Sequence, residues 1–219
     1  MATEMKPLQL IKRWENLFPL PQMNHSPRDA FDQLSAKYGE KHRAYHTLQH
    51  VSTCLTLLET VQANINDLQS VELAIWFHDV IYSPRRNDNE EQSAAYASEV
   101  LTIFGARADV IKNVNHLILL TKHPSSPATE DEKFIVDIDL SVLGAQPAAY
   151  DHYSNLIRKE YVHVPSVLYA AGRKRVLRSF LDSDYIFHTA HFRSANEAQA
   201  RKNIKRELQQ LTWWKRPGA

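Results

Sequence analysis

The chain has 219 residues, 43% of them hydrophobic, which is enough to bury a full core within one domain. Its 26 basic and 25 acidic residues leave a net charge of +1, which excludes whole-molecule attraction to nucleic acid or an anionic membrane and makes any phosphate recognition local. Cys54 is the single cysteine, so no intramolecular disulfide forms; no stretch approaches the roughly 20 apolar residues that cross a bilayer, and a soluble, cytoplasmic protein is expected.

Apolar residues recur at spacings of three and four along almost the whole chain while strict alternation is scarce, which predicts an all-α fold, a single-domain helical bundle. Leu8, Ile11, Trp14 and Phe18 mark a first helix closed by Pro19 and Pro21. Ser26 and Pro27 match an N-cap followed by proline at the first helical position, opening a second helix through Phe31, Leu34 and Tyr38 that stops near Gly39. Helices are then predicted from about 47 to 64, 68 to 82, 89 to 104 and 106 to 121. The run SPRRND between Tyr82 and Asn89 is a short basic turn, and HPSSPAT, from His123 to Thr129, is a loop by composition. Residues 131–143 resume the helical pattern, with Gly144 as a C-cap.

Further helices are predicted from about 147 to 161, 165 to 181 and 194 to 214, the last with Ile204, Leu208 and Leu211 on its buried face. No Gly- or Ser-rich linker intervenes, so they are expected to pack on the preceding helices as one body. The basic run GRKRVLRSF, Gly172 to Phe180, has no accompanying aromatic stacking pattern and is expected to be a solvated helix face rather than a nucleic-acid contact. Trp76 is expected in the core, whereas Trp213 and Trp214 either cover an interface or seal the last helix.

Chemistry-bearing residues interrupt this apolar pattern in three places: Tyr45, His46 and His50 in RAYHTLQHV, His78 and Asp79 in WFHDVIY, and Asp139 in DIDLSVLG. His46 and His50 are four residues apart, a spacing that on one helix places them on the same face, in row with Cys54, Leu57 and Val61. His78 falls in the row of Val71, Ala74, Ile75 and Tyr82, and Asp139 in that of Ile135, Ile138 and Val142, so polar groups stand where side chains point inward. Buried polar groups of this kind need partners. A shared divalent ion supplies one to all of them, and two imidazoles with two carboxylates suit Mn, Fe, Co, Ni, Zn or Mg.

The order of a histidine motif, a His-Asp pair and a distant aspartate on successive helices resembles the HD superfamily of metal-dependent phosphohydrolases, from about Arg43 to Gly144. The YHxxxH and DLS runs are similar to those of its cyclic-nucleotide phosphodiesterase branch. In place of that branch's His-rich continuation stand Val80, Ile81 and Tyr82, and the chain looks more like small HD proteins with HDVIY followed by NExxSA, here Asn89, Glu90, Ser93 and Ala94. The resemblance implies that His50, His78, Asp79 and Asp139 hold the metal, with Asp137 as the rival for the last position. It implies one or two ions, Asp79 bridging them where there are two. His46 becomes the proton donor to a leaving oxygen, or else a histidine that only hydrogen-bonds the ligand shell.

Around these residues stand candidates for substrate contact or for support of the ligands. Arg43 could clamp a phosphate with its planar fork, and Glu90 opens a helix where a carboxylate is favourable in any case. Asn113, His116, Leu120 and His123 share a row, so His116 and His123, with Lys122, could face the site. Arg85 and Arg86 are expected in solvent. The implied activity is hydrolysis of a phosphomonoester or phosphodiester of a small, nucleotide-like molecule, with a homodimer left open. The alternatives are a catalytically silent nucleotide-binding module and an HD-type di-iron oxygenase, for which His116 and His123 would be the extra ligands.

Overall fold

The computed structural model describes residues 5–18, 25–123 and 126–213, the side chains of 212 and 213 excepted. The fold is all-α. The chain gathers into two compact units, 1–138 and 139–219. Pro19, Pro21 and the Trp213 and Trp214 side chains, to which expectations were attached, lie outside the described residues.

The first unit holds α1 (Pro7–Leu17), α2 (Pro27–Tyr38), α3 (Leu48–Val61), α4 (Leu68–Phe77), α5 (Asn89–Ile103), α6 (Ala108–Leu120) and all but the end of α7 (Glu130–Leu140). Helix α2 starts as its sequence specifies, with the Ser26 hydroxyl accepting from the Arg28 and Asp29 amides and Pro27 at the first helical position. Helix α4 is apolar on every side, and each residue from Ser70 to Phe77 is buried, as expected of a helix at the centre of a bundle. Trp76 is in the core as predicted: Trp14 meets Trp76 and Phe77 edge-on at 5.5 Å between ring centroids, an arrangement that adds to the burial of three large rings. Arg13 of α1 pairs with Glu72 at 2.6 Å and Glu59 at 2.7 Å, tying α1 to α4 and α3.

The second unit holds α8 (Pro147–Glu160), α9 (Ser166–Asp182), α10 (Ala190–Phe192) and α11 (Ala198–Trp213), with one π-helical turn at Arg193–Glu197 joining the last two. The final helical stretch therefore begins at Ala190, earlier than the predicted 194, because the Thr189 hydroxyl caps it by accepting from the Phe192 amide. Beneath it lies a buried network in which Glu207 accepts from Arg173 at 2.9 Å and from the Tyr150 hydroxyl at 2.5 Å. Within the basic run Arg173 is thus drawn into this network and Lys174 is half-buried, while Arg175 and Arg178 are exposed as expected.

Gly144 is not a left-handed C-cap, since Gly105 is the glycine with positive φ among the described residues. It is the last residue of a 3-10 turn at Ser141–Gly144 and lies against Asn196, whose Cβ would be 2.5 Å from any Cβ placed on Gly144. Close approach, not conformation, demands glycine there. No helix among the described residues is long and apolar enough to cross a membrane.

Candidate metal centre

Thr47 caps α3 in extended conformation, its hydroxyl accepting from the Gln49 amide, so His50 falls in the first helical turn and is 5% exposed. His46 precedes that cap and lies outside the helix. The expectation of one helical face carrying both histidines is therefore corrected, although the turn still brings the rings to 6.2 Å between centroids. Helix α4 likewise ends at Phe77 rather than running on to Tyr82, with His78 as its C-cap. The main-chain groups beyond it have other partners. Arg43 takes the carbonyls of Asp79 and Val80, Ser83 donates its amide to Asn89 Oδ1, and Pro84 has no amide to offer a continuing helix.

These turns face three ligand-bearing groups toward one point. His50 Nε2 lies 3.1 Å from His78 Nε2, and Asp79 Oδ2 lies 3.1 Å from His78 Nε2 and 3.8 Å from His50 Nε2. Asp139, in the last turn of α7, completes a set with His50 and His78 whose ligand atoms lie within 4.8 Å of one another. Asp137, its rival, is fully buried. Two residues apart on a helix is about 200° of rotation, so the two carboxylates leave α7 on nearly opposite sides and Asp139 takes the position at the histidines.

The donor set fits a divalent cation. His78 Nδ1 lies 2.8 Å from the Ile75 carbonyl, which accepts its proton, fixes the ring and leaves Nε2 directed at His50 and Asp79. A ring nitrogen 3.1 Å from a buried carboxylate oxygen needs a cation or a proton between them. Burial would raise the Asp79 carboxyl, but attraction to His78, His46 and His50 outweighs it and holds the group well below the usual carboxylate range. Asp79 is thus anionic at neutral pH.

The candidate ligands are held in place by the residues around them. Arg43 is buried, and its guanidinium donates to the carbonyls of His46 at 3.0 Å, Asp79 at 2.7 Å and Val80 at 2.9 Å. It crosslinks the two motif turns and has no fork left for a phosphate, which corrects the clamp expectation and leaves its supporting role. Tyr82 stacks on the His46 ring at 4.1 Å while Tyr45 meets it edge-on at 5.1 Å. The NExxSA run has a mechanical meaning: Asn89 makes paired bonds with the main chain of Ser83, and Ser93 does the same with Ile81. Both clamp the segment after the His-Asp pair onto α5.

Between those clamps, burial is the main cause that raises the Glu90 carboxyl above its ordinary range, with Asp79 and Glu91 adding to it against Lys122. Glu90 is therefore close enough to the site to feel Asp79. Lys122 donates to the Asn87 carbonyl at 2.6 Å and to Glu91 at 2.5 Å, so it ties the end of α6 to the start of α5 rather than offering a free cation. His116 is not at the site. Its ring is 54% exposed and pairs with Glu132 at 3.2 Å, seven residues before Asp139 on α7, about 10 Å along that helix. His123, just past α6, is half-buried. Arg85 and Arg86 are exposed as expected, Arg86 paired with Asp88.

Comparison of the chain with protein-family models, with curated proteins and with solved structures found no match.

Proposed function

We propose that this protein is a metal-dependent phosphohydrolase of the HD type, acting on a phosphomonoester or phosphodiester of a small, nucleotide-like substrate. The observation that carries this is the convergence of His50, His78 and Asp139, with Asp79 alongside, on one point among the turns of an all-α protein. These four residues would hold one or two ions drawn from Mn, Fe, Co, Ni, Zn and Mg. A bound ion would activate water and polarise a phosphoryl oxygen.

The remaining steps fall to the chain's own groups. His46 is adjacent to the ligands, partly exposed and held in orientation by Tyr82 and Tyr45, which suits it to give a proton to the departing oxygen. Arg43 keeps the His46 and Asp79 turns at fixed separation. Glu90 adds a further carboxyl near enough to interact with the charge of Asp79. The position of His116 weighs against the di-iron reading, because one of its two additional imidazoles faces Glu132 instead.

The test is metal content by plasma mass spectrometry, on protein purified without chelator or affinity nickel, beside an Asp79→Ala variant. Phosphate release is then assayed from nucleoside monophosphates and cyclic nucleotides with Mn, Co, Ni or Mg, against His78→Ala. Stoichiometric metal lost in the first variant and release lost in the second are expected. Metal without release from any substrate would favour a silent binding module, and no metal after reconstitution would overturn the proposal.

A further inference from the structure

The second unit contains a cleft of about 640 Å³ between α8, α9 and α11, a size typical of small-molecule sites. Val167, Ala170 and Leu211 give it an apolar wall. On the same face of α9, one turn further on, Lys174 and Arg178 line it four residues apart. Glu207, at the cleft's edge, is already engaged by Arg173 and Tyr150. Neither Lys174 nor Arg178 forms an ion pair with a described residue.

A second observation is independent of these charges. Tyr169 is 9% exposed and lines the cleft, yet its hydroxyl is buried and has no hydrogen-bond partner. Its ring cannot move aside easily, because the Arg158 guanidinium lies 4.6 Å over it and is itself held by the carbonyls of Tyr161 and Val164. An orphaned hydroxyl and two like charges on one helix face both cost stability in the empty protein. A ligand in the cleft relieves both when it offers an acceptor to the hydroxyl and negative charge to the two cations.

We propose that this cleft binds an amphipathic organic anion, its apolar body along Val167, Ala170 and Leu211 and its carboxylate or phosphate head at Lys174 and Arg178, with Tyr169 as the buried hydrogen-bond donor. The site is separate from the metal ligands and does not depend on their activity.

Isothermal titration of the full chain with decanoate, decyl phosphate and decanol, each below its aggregation limit, tests this. Saturable binding of one or both anions is expected, the stronger one identifying the head group, with decanol roughly tenfold weaker or more. The double variant Lys174→Ala, Arg178→Ala should weaken anion binding by about tenfold or more at unchanged thermal midpoint, since neither side chain has an ion-pair partner to lose. Tyr169→Phe should weaken anion binding without lowering the midpoint of the unliganded protein, a combination that a purely structural tyrosine would not give. Absence of saturable anion binding, decanol binding as tightly as the anions, or undiminished binding in the double variant would overturn the assignment.

Discussion

Arg43 donates to the main-chain carbonyl of Asp79 at 2.7 Å while the Asp79 carboxylate lies 3.1 Å from His78, so a single residue is held from behind and employed in front. Arg43→Met removes the fork and leaves three carbonyls, two of them from the turn after α4, without their donor. We expect stability to fall by about 3 kcal/mol and metal affinity to fall with it. Arg43→Lys keeps the charge but cannot serve all three carbonyls and should recover only part of the loss. Urea unfolding and metal titration measure both. An Arg43→Lys variant with normal stability and a raised KM would point instead to a phosphate contact.

The ligand assignment separates Asp139 from His116, both of them candidates in the sequence. Asp139→Asn should strip the metal, while His116→Ala, whose ring lies 3.2 Å from Glu132 near the surface, should keep full stoichiometry and alter stability by no more than about 0.5 kcal/mol. Metal analysis of the two proteins side by side decides. Loss of metal in His116→Ala would restore the di-iron reading.

Gly144→Ala should destabilise the protein by about 1 to 3 kcal/mol, because the new methyl would lie 2.5 Å from Asn196 Cβ and 2.9 Å from the Asn196 carbonyl oxygen. Asn196→Gly in the same chain should return part of this by removing the nearer atom. Thermal melts of the single and double variants check it, and a neutral single variant would mean that the π-helical turn can shift at no cost.

Asp67 caps α4, accepting from the Ser70 amide at 3.0 Å and from Asn113 at 2.9 Å. Burial opposes its ionisation, but the bonds from Ser70 and Asn113 outweigh this and depress its pKa. A carboxyl with a lower pKa folded than unfolded contributes stability that is complete above the unfolded value of about 3.9 and is lost as pH falls through the folded value. Asp67→Asn retains an acceptor and loses the charge. It should therefore be less stable by about 1 kcal/mol at neutral pH, with the difference shrinking below about pH 4. Melting curves that stay parallel down to about pH 2 would show that the charge contributes nothing.

The helices and the ligand-bearing motifs were legible in the sequence to different depths. Periodicity found α2 and α5 to within a residue or so because Ser26, Pro27 and Asn89 mark their starts in local chemistry. It overran α4, since Val80 and Tyr82 are buried too and prolong the apolar rhythm past the point where the helix stops. What ends α4 is a set of distant side chains, Arg43, Asn89 and Ser93, competing for its main-chain groups, and spacing carries no trace of them. His116 failed for a related reason: a row of residues defines a face but not the neighbour it meets. Tyr82 could have been noticed as an aromatic ring next to the His-Asp pair, but its partner His46 could be found only in three dimensions.

The paired bonds from Asn89 and Ser93 to Ser83 and Ile81 make α5 act toward residues 81–83 as a neighbouring strand would, offering donor and acceptor together at each position. This sets where the chain tolerates a change of length. An added residue among the exposed positions 85–87 lengthens a turn and leaves both clamps in place. One added between Asn89 and Ser93 would swing the serine about 100° around the helix, release Ile81 and loosen Tyr82 behind His46. Two to four residues upstream of α5 the connection is permissive in length, and within its first turn it is not.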